Sequence, residues 1–266
     1  LTDKWLIALD IDGTLIDENG GHSEHVFETV RQVAARGHEV MIATGRGWSI
    51  TNQIIEQIGI LPQYVICANG AVTMARDGAE TLDGYKQWHA ETFFAESAIN
   101  QMAVEFADAY FMVEDLDGKR YFTKAWDFAG EGTEVSIEEL KRIPATRVVL
   151  FDPGTEHNEF LAKVEALGLH SVSYFIGYAN WVDIAPEGVS KGDALKRVID
   201  QLQTPSGRVF SAGDGRNDIE MFEVTGNGGV AVAMGQAPEE LLAVATEVTA
   251  HVDEDGLALA LQRFLD

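Results

Sequence analysis

At 266 residues and 46% apolar content, the chain can bury a sizeable core, as one domain or two smaller ones. Asp and Glu number 43 against 19 Lys and Arg, a formal net charge of -24, which argues against nonspecific binding to nucleic acid or an anionic membrane surface. The single cysteine, Cys67, cannot close an intrachain disulfide and reads as a small buried residue, which fits a reducing, cytoplasmic location. No basic, apolar leader and no apolar run of membrane-spanning length is read.

In chain order, Trp5–Leu9, Val40–Ala43 and Val65–Ala68 are short runs apolar on both faces, as buried parallel strands are. Between the first two, Val26, Phe27, Val30, Val33 and Ala34 form one stripe of a helix stopped by Gly37. A second stripe, Ile50, Ile54, Ile55 and Ile58, stops at Gly59. Strand alternating with helix predicts a doubly wound, mostly parallel α/β sheet of Rossmann type.

The middle of the chain is richer in aromatics. Helices are predicted near 91–107 and 155–167. Strands are predicted at "AYFMVED" and "KRYFTKA", paired around "LDGK", and at "RVVLFD" and "SVSYFIGYANWVDI". This reads as an α/β domain at 81–187, inserted into a discontinuous core of 1–80 and 188–266. The core pattern then resumes. A helix carries Ala194, Leu195, Val198, Ile199 and Leu202, and strands follow at "RVFSA", "GVAVAM" and "EVTAHV". Helices near 217–225 and 237–245 separate those strands, and "GLALALQRFL" closes the chain as a helix.

Polar groups gather where the core strands end, the edge at which open α/β sheets place ligands. Asp10 and Asp12 follow the first strand and Thr44-Gly45-Arg46 the second. Asp214 follows "VFSAG", with Asn217 and Asp218 opening the next helix, and Lys191 lies in the first turn of its helix. Each alone could be a turn residue, a helix-start residue or a solvated charge. Together, Asp10, Asp214 and Asp218 would repel one another without a cation between them. An all-oxygen set with no zinc-like Cys/His spacing favours Mg²⁺. A carboxylate, ionised at neutral pH with an ordinary pKa of ~3.9, can attack an electrophile directly. Phosphorus fits, because Lys191, Thr44, backbone N–H groups and Mg²⁺ together neutralise phosphoryl oxygens.

The motifs "DIDGT", "ATGR", "SKGDAL" and "GDGRNDIEM" resemble, in order and spacing, the haloacid dehalogenase-like phosphatase superfamily. "CANGA", "WVDIAPEGVSKGDAL", "GVAVAMGQAPEELLAVA" and "VDEDGLALAL" look like its Cof-like hydrolases, which carry a large α/β cap. The resemblance implies that Asp10 is the nucleophile, forming an aspartyl-phosphate, and that Asp12 is the acid and base. It implies a Mg²⁺ site of Asp10, the Asp12 backbone carbonyl, Asp214 and Asp218, the last bound directly or through water, with Asn217 fixing its geometry. It further implies that Thr44, the Gly45 N–H and Lys191 grip the phosphoryl group.

Asn69 is either a left-handed turn residue or a group lining the site, and Arg46 either reaches substrate or braces the acids. Arg216 either approaches substrate or faces solvent. In the cap, a lid over the reaction, Glu114, Arg120, Lys124, Tyr178 and Asn180 are candidate substrate contacts, each also readable as surface. The expected activity is Mg²⁺-dependent hydrolysis of small phosphorylated metabolites, sugar phosphates first, with neither nucleic-acid nor membrane partner. A phosphosugar mutase or phosphotransferase, or a non-catalytic phosphometabolite-binding regulator, stands as the alternative.

Overall fold

The computed structural model describes residues 4–17, 20–78, 84–126, 130–169, 172–177 and 180–265. The chain divides into two compact units, Leu1–His89 with Ser190–Asp266, and Ala90–Val189. The first begins with β1 (Leu6–Leu9), α1 (Glu24–Ala35), β2 (Glu39–Ala43), α2 (Trp48–Ile58), β3 (Tyr64–Cys67), β4 (Val72–Arg76) and β5 (Tyr85–Ala90). The second holds β6 (Phe93–Phe94), α3 (Glu96–Glu105), β7 (Tyr110–Glu114), β8 (Arg120–Phe122), β9 (Thr133–Glu134) and α4 (Ile137–Leu140). It continues with β10 (Pro144–Ala145), β11 (Arg147–Phe151), α5 (His157–Leu167), β12 (Val172–Gly177) and β13 (Trp181–Pro186). The first unit resumes with α6 (Lys191–Leu202), β14 (Val209–Gly213), α7 (Ile219–Gly226), β15 (Val230–Ala233), α8 (Glu239–Leu242), β16 (Glu247–Val248) and α9 (Gly256–Leu261).

In the first unit an eight-stranded sheet runs β16-β15-β14-β1-β2-β3-β4-β5, parallel from β16 to β3, with β4 antiparallel to β3. Side chains alternate across a strand. Leu6 and Ala8 of β1 therefore join Met41, Ile66, Val209 and Ala231 on one face, where α6 and α7 supply Leu195, Val198, Met221 and Phe222. The residues between them, Ile7 and Leu9, are equally buried on the other. Strand number rises one way from β1 through β2 and β3 and the other way from β14 through β15. The order therefore reverses between β1 and β14, and the loops leaving those two strands diverge there, opening the crevice that such sheets use for ligands.

The inserted unit is a six-stranded sheet, β12-β13-β11-β7-β8-β9, with a two-stranded β10-β6 pair. Phe111, Val113, Val148, Leu150, Val182 and Ile184 face α3 and α5, which bury Ile99, Met102, Phe160 and Val164 against them. The alternate positions Met112, Phe122 and Val149 pack with Trp126 and Trp181 on the opposite face.

Several elements depart from the sequence reading. The third strand stops at Cys67, because Ala68 and Asn69 take positive φ of 50° and 51° and close a single 3-10 turn. Part of the predicted helix at 91–107 is the short strand β6, and α3 spans ten residues. The helix near 237–245 shrinks to α8, four residues starting after Pro238, and "EVTAHV" contributes only the two residues of β16. Strands β4, β5, β9 and β10 and helix α4 were not anticipated. Among the described residues no helix is long and apolar enough to cross a membrane.

Phe222 on α7 is fully buried among α6, α8 and the sheet. Phe222→Ala should destabilise the protein by about 3–5 kcal/mol, read from the midpoint of urea unfolding followed by circular dichroism.

Candidate active site

Asp10 is the first residue past β1, and its N–H continues the ladder to Ala212 O at 3.0 Å. The chain then turns at Gly13, φ +71°, which lies so close to Asp214 that a Cβ there would overlap the carboxylate. Asp214 is the first residue past β14. Asp218 ends the 3-10 turn Arg216–Asp218 and points back, its Oδ2 accepting the N–H groups of Asp214 at 3.1 Å and Gly215 at 3.0 Å. Lys191 begins α6, whose N-terminus is fixed by Ser190, its Oγ accepting the Asp193 N–H at 3.1 Å.

These segments bring one cation among three acids. Lys191 is 0% exposed, and its Nζ donates to Asp10 Oδ1 and to Asp218 Oδ1, each at 2.7 Å. Carboxylate oxygens of Asp10, Asp214 and Asp218, all buried, lie within 4.8 Å of one another. Burial, then the charge of Asp218, pushes the Asp10 carboxyl well above the usual carboxylate range, with Lys191 pulling the other way. For Lys191, burial favours the neutral amine, but Asp10 and Asp218 outweigh it and hold the ammonium charged. Three carboxylates around one ammonium leave excess negative charge in a buried place. The donor set is all oxygen, so the residues fit a hard divalent cation such as Mg²⁺.

The other residues predicted in the first unit lie in the turns that follow β1, β2, β3 and β14. Thr44 is buried, and its Oγ1 accepts the Arg46 N–H at 3.1 Å. Arg46 forms a two-pronged pair with Asp12, Nε to Oδ2 at 2.9 Å and a second contact from NH2 to Oδ1. Asn69 is the left-handed turn residue that one reading of the sequence expected. It holds the left-handed turn after β3, and its Oδ1 accepts from Asn217 Nδ2 at 3.0 Å beside Gly45. Arg216 is half exposed and pairs with Glu240 at 3.0 Å.

In the inserted unit, Glu114 and Arg120 form a buried ion pair at 3.0 Å, and Lys124 contacts the Tyr110 hydroxyl at 3.4 Å. Asn180 takes positive φ, donates to Thr155 O and meets His157 Nδ1 at 2.9 Å. Tyr178 lies outside the described residues.

Sequence reasoning missed three residues of this neighbourhood. Ser190 betrays itself as a helix cap before Lys191. Gly70 packs its Cα against the Ser190 carbonyl, a closeness that no spacing signals. Gln236, inside the quoted run "GVAVAMGQAPEELLAVA", reaches the Gly13 carbonyl and Asp214.

A family model described as haloacid dehalogenase-like hydrolase matches residues 7–261. A phosphoglycolate phosphatase of Archaeoglobus fulgidus is 30% identical, the match covering 96% of this chain and 95% of the relative. The 5-amino-6-(5-phospho-D-ribitylamino)uracil phosphatase of Bacillus subtilis is 26% identical over 99% of this chain and 98% of its own length. Among solved structures, a phosphatase of the same superfamily from Bacteroides thetaiotaomicron superposes with a TM-score of 0.75 at 27% identity, covering 98% of this chain and 95% of that one.

Lys191→Met removes the ammonium shared by Asp10 and Asp218, which should destabilise the metal-free protein by about 3–5 kcal/mol. Added Mg²⁺ should return part of that loss, by binding the folded state alone. The raised Asp10 carboxyl contributes stability below the unfolded carboxylate value, and that contribution is lost as pH rises through the raised value. Protons and cation compete for the same oxygens, so the Mg²⁺-induced gain in Tm should be larger at pH 8 than at pH 5. Thermal unfolding in EDTA and in MgCl2 at both pH values measures it; a gain independent of pH would contradict the arrangement.

Proposed function

This chain belongs to the haloacid dehalogenase-like hydrolase family, with an inserted α/β cap domain and a phosphatase-type active site, and we propose that it hydrolyses small phosphorylated metabolites in a Mg²⁺-dependent reaction. The observation that carries the reading is Lys191 seated on Asp10 and Asp218 with Asp214 in the same cluster. One carboxylate is thereby buried at a strand end beside a fixed ammonium, with further acids left over to hold a cation.

Asp10 is the nucleophile: a carboxylate oxygen forms the bond to phosphorus as the bond to the leaving alcohol oxygen breaks. Asp12 gives its proton to that oxygen. It then takes one from the water that attacks the aspartyl-phosphate, releasing inorganic phosphate and restoring Asp10. Lys191, the Gly45 N–H and the Thr44 hydroxyl grip the phosphoryl oxygens. Thr44 Oγ1 already accepts from the Arg46 N–H, so its own proton is available to donate. Asn217, braced on Asn69, fixes the loop carrying Asp214 and Asp218. Bound between Asp10, Asp214, Asp218 and the Asp12 carbonyl, Mg²⁺ would neutralise charge on the phosphoryl group.

The four motifs and their spacing support placement among the Cof-like hydrolases. Among small phosphorylated metabolites, sugar phosphates head the candidate substrates, and the phosphorylated ribityl chain in the name of the Bacillus subtilis relative supports that order.

Phosphate release across a panel of phosphorylated metabolites, with Mg²⁺ and with EDTA, tests the proposal. Asp10→Asn should lower kcat by on the order of 10⁴-fold or more. Asp12→Asn should lower it by roughly 10²–10⁴-fold. EDTA should abolish release. Metal-independent release, or release by the Asp10→Asn protein equal to wild type, would sink this assignment.

A further inference from the structure

The run "AMGQAP" after β15 belongs to no step derived above, yet its glutamine touches the acidic cluster. Gln236 is half-buried and uses both ends of its amide. Nε2 donates to the Gly13 carbonyl and lies 3.5 Å from Asp214 Oδ2, while Oε1 accepts the Val252 N–H at 3.1 Å. Two acceptors face the NH2 and one donor faces the oxygen, so the network fixes which way the amide points.

Both sides of that bridge are themselves held. Met234 N–H donates to Gly213 O, the residue before Asp214, at 3.0 Å, and Gly235 N–H donates to Ala250 O at 3.0 Å. Gly235 lies against the backbone of Ala250 and His251, and Thr249 Oγ1 donates to Gly256 O at 2.7 Å. The segment 249–256, including the otherwise unassigned "VDEDG", is thus an anchored loop on which Gln236 leans. On the other side, Gly13 packs against the Asp214 carboxylate and belongs to the turn that carries the Asp12 carbonyl.

We infer that Gln236 is a positioning residue for the cation site. It ties the Gly13 turn to Asp214 from outside and sets how well that pair of segments presents its oxygens. Hydrogen bonds behind metal ligands orient them, and losing one typically weakens metal affinity ~10–100-fold. This inference rests on the Mg²⁺ reading proposed above and adds to it a determinant of affinity that comes from the C-terminal part of the chain.

The test is Mn²⁺ binding to the full chain, read by electron paramagnetic resonance of the free ion. Mn²⁺ is chosen because it takes the same oxygen ligands as Mg²⁺. Gln236→Met keeps length and bulk but neither donates nor accepts as the amide does; Gln236→Asn is one methylene short of spanning Gly13 and Val252. Both should raise the Mn²⁺ Kd about tenfold, with substrate KM at saturating metal unchanged within about twofold. The Tm of each metal-free variant, measured alongside, separates folding from binding. A variant that loses Tm but binds Mn²⁺ like wild type would overturn the inference and leave Gln236 a structural tether. Asp214→Asn is the reference for a damaged site. If wild type binds no Mn²⁺, or Asp214→Asn binds it equally well, the metal-dependent reading itself fails, and this inference with it.

Discussion

Three buried carboxylates drawn to within 4.8 Å around a single buried ammonium form the arrangement on which the rest of the core depends. Left alone, such a cluster is unfavourable, since each charge loses its water and like charges face one another. It persists because the groups arrive on three segments that the sheet and one helix cannot help but converge. Asp10 and Asp214 are the residues immediately past two adjacent parallel strands, β1 and β14, paired through Leu9 and Ala212. Lys191 is set by the capped start of α6. The reversal of strand order at β1 and β14 spreads their loops and leaves the room that the acids occupy.

Close backbone approach does the rest of the convergence. At Gly13 any side chain would displace Asp214, and at Gly70, φ +102°, a Cβ would run into the carbonyl of Ser190, the residue that caps α6. The turn after β3 therefore supports the lysine from behind, just as the turn after β1 supports the aspartate. Arg197 reinforces the first of these with a hydrogen bond to Gly70 O at 3.3 Å. The loops at this edge are held by one another as much as by the strands beneath them.

That mutual support explains what the sequence could and could not reveal. Strands β1, β2 and β14 are apolar on both faces, and their terminal acids and hydroxyls interrupt that pattern abruptly, so fold class and candidate residues were both legible. The burial of Lys191 was not, because its neighbours in sequence are polar and the enclosing groups come from 27 and 181 residues away. Strand β5 reads "YKQWHA", a sheet-edge strand with exposed Lys86, Gln87 and Trp88, too polar to announce itself. Gln236 bonds to a carbonyl 223 residues distant. Contacts of that kind depend on which loops the topology juxtaposes, and local periodicity carries no information about them.

The two acids that end the first strand, one residue apart, show how the same fold treats identical side chains differently. Asp10 is 4% exposed and tied to a buried lysine, whereas the Asp12 side chain is 55% exposed and gripped by Arg46. The environment of Asp10 is fixed by burial and cannot relax, which suits a group that must remain in place through both halves of the proposed reaction. Arg46 holds the Asp12 carboxylate in place through two contacts, so their pair must open before Asp12 can take the acid role proposed for it. An ion pair this accessible to solvent is worth on the order of 1 kcal/mol, so opening it is a small part of any catalytic barrier. The fold thus fixes the position of one carboxyl through packing and leaves its neighbour held by a solvent-accessible pair that an arriving substrate can displace.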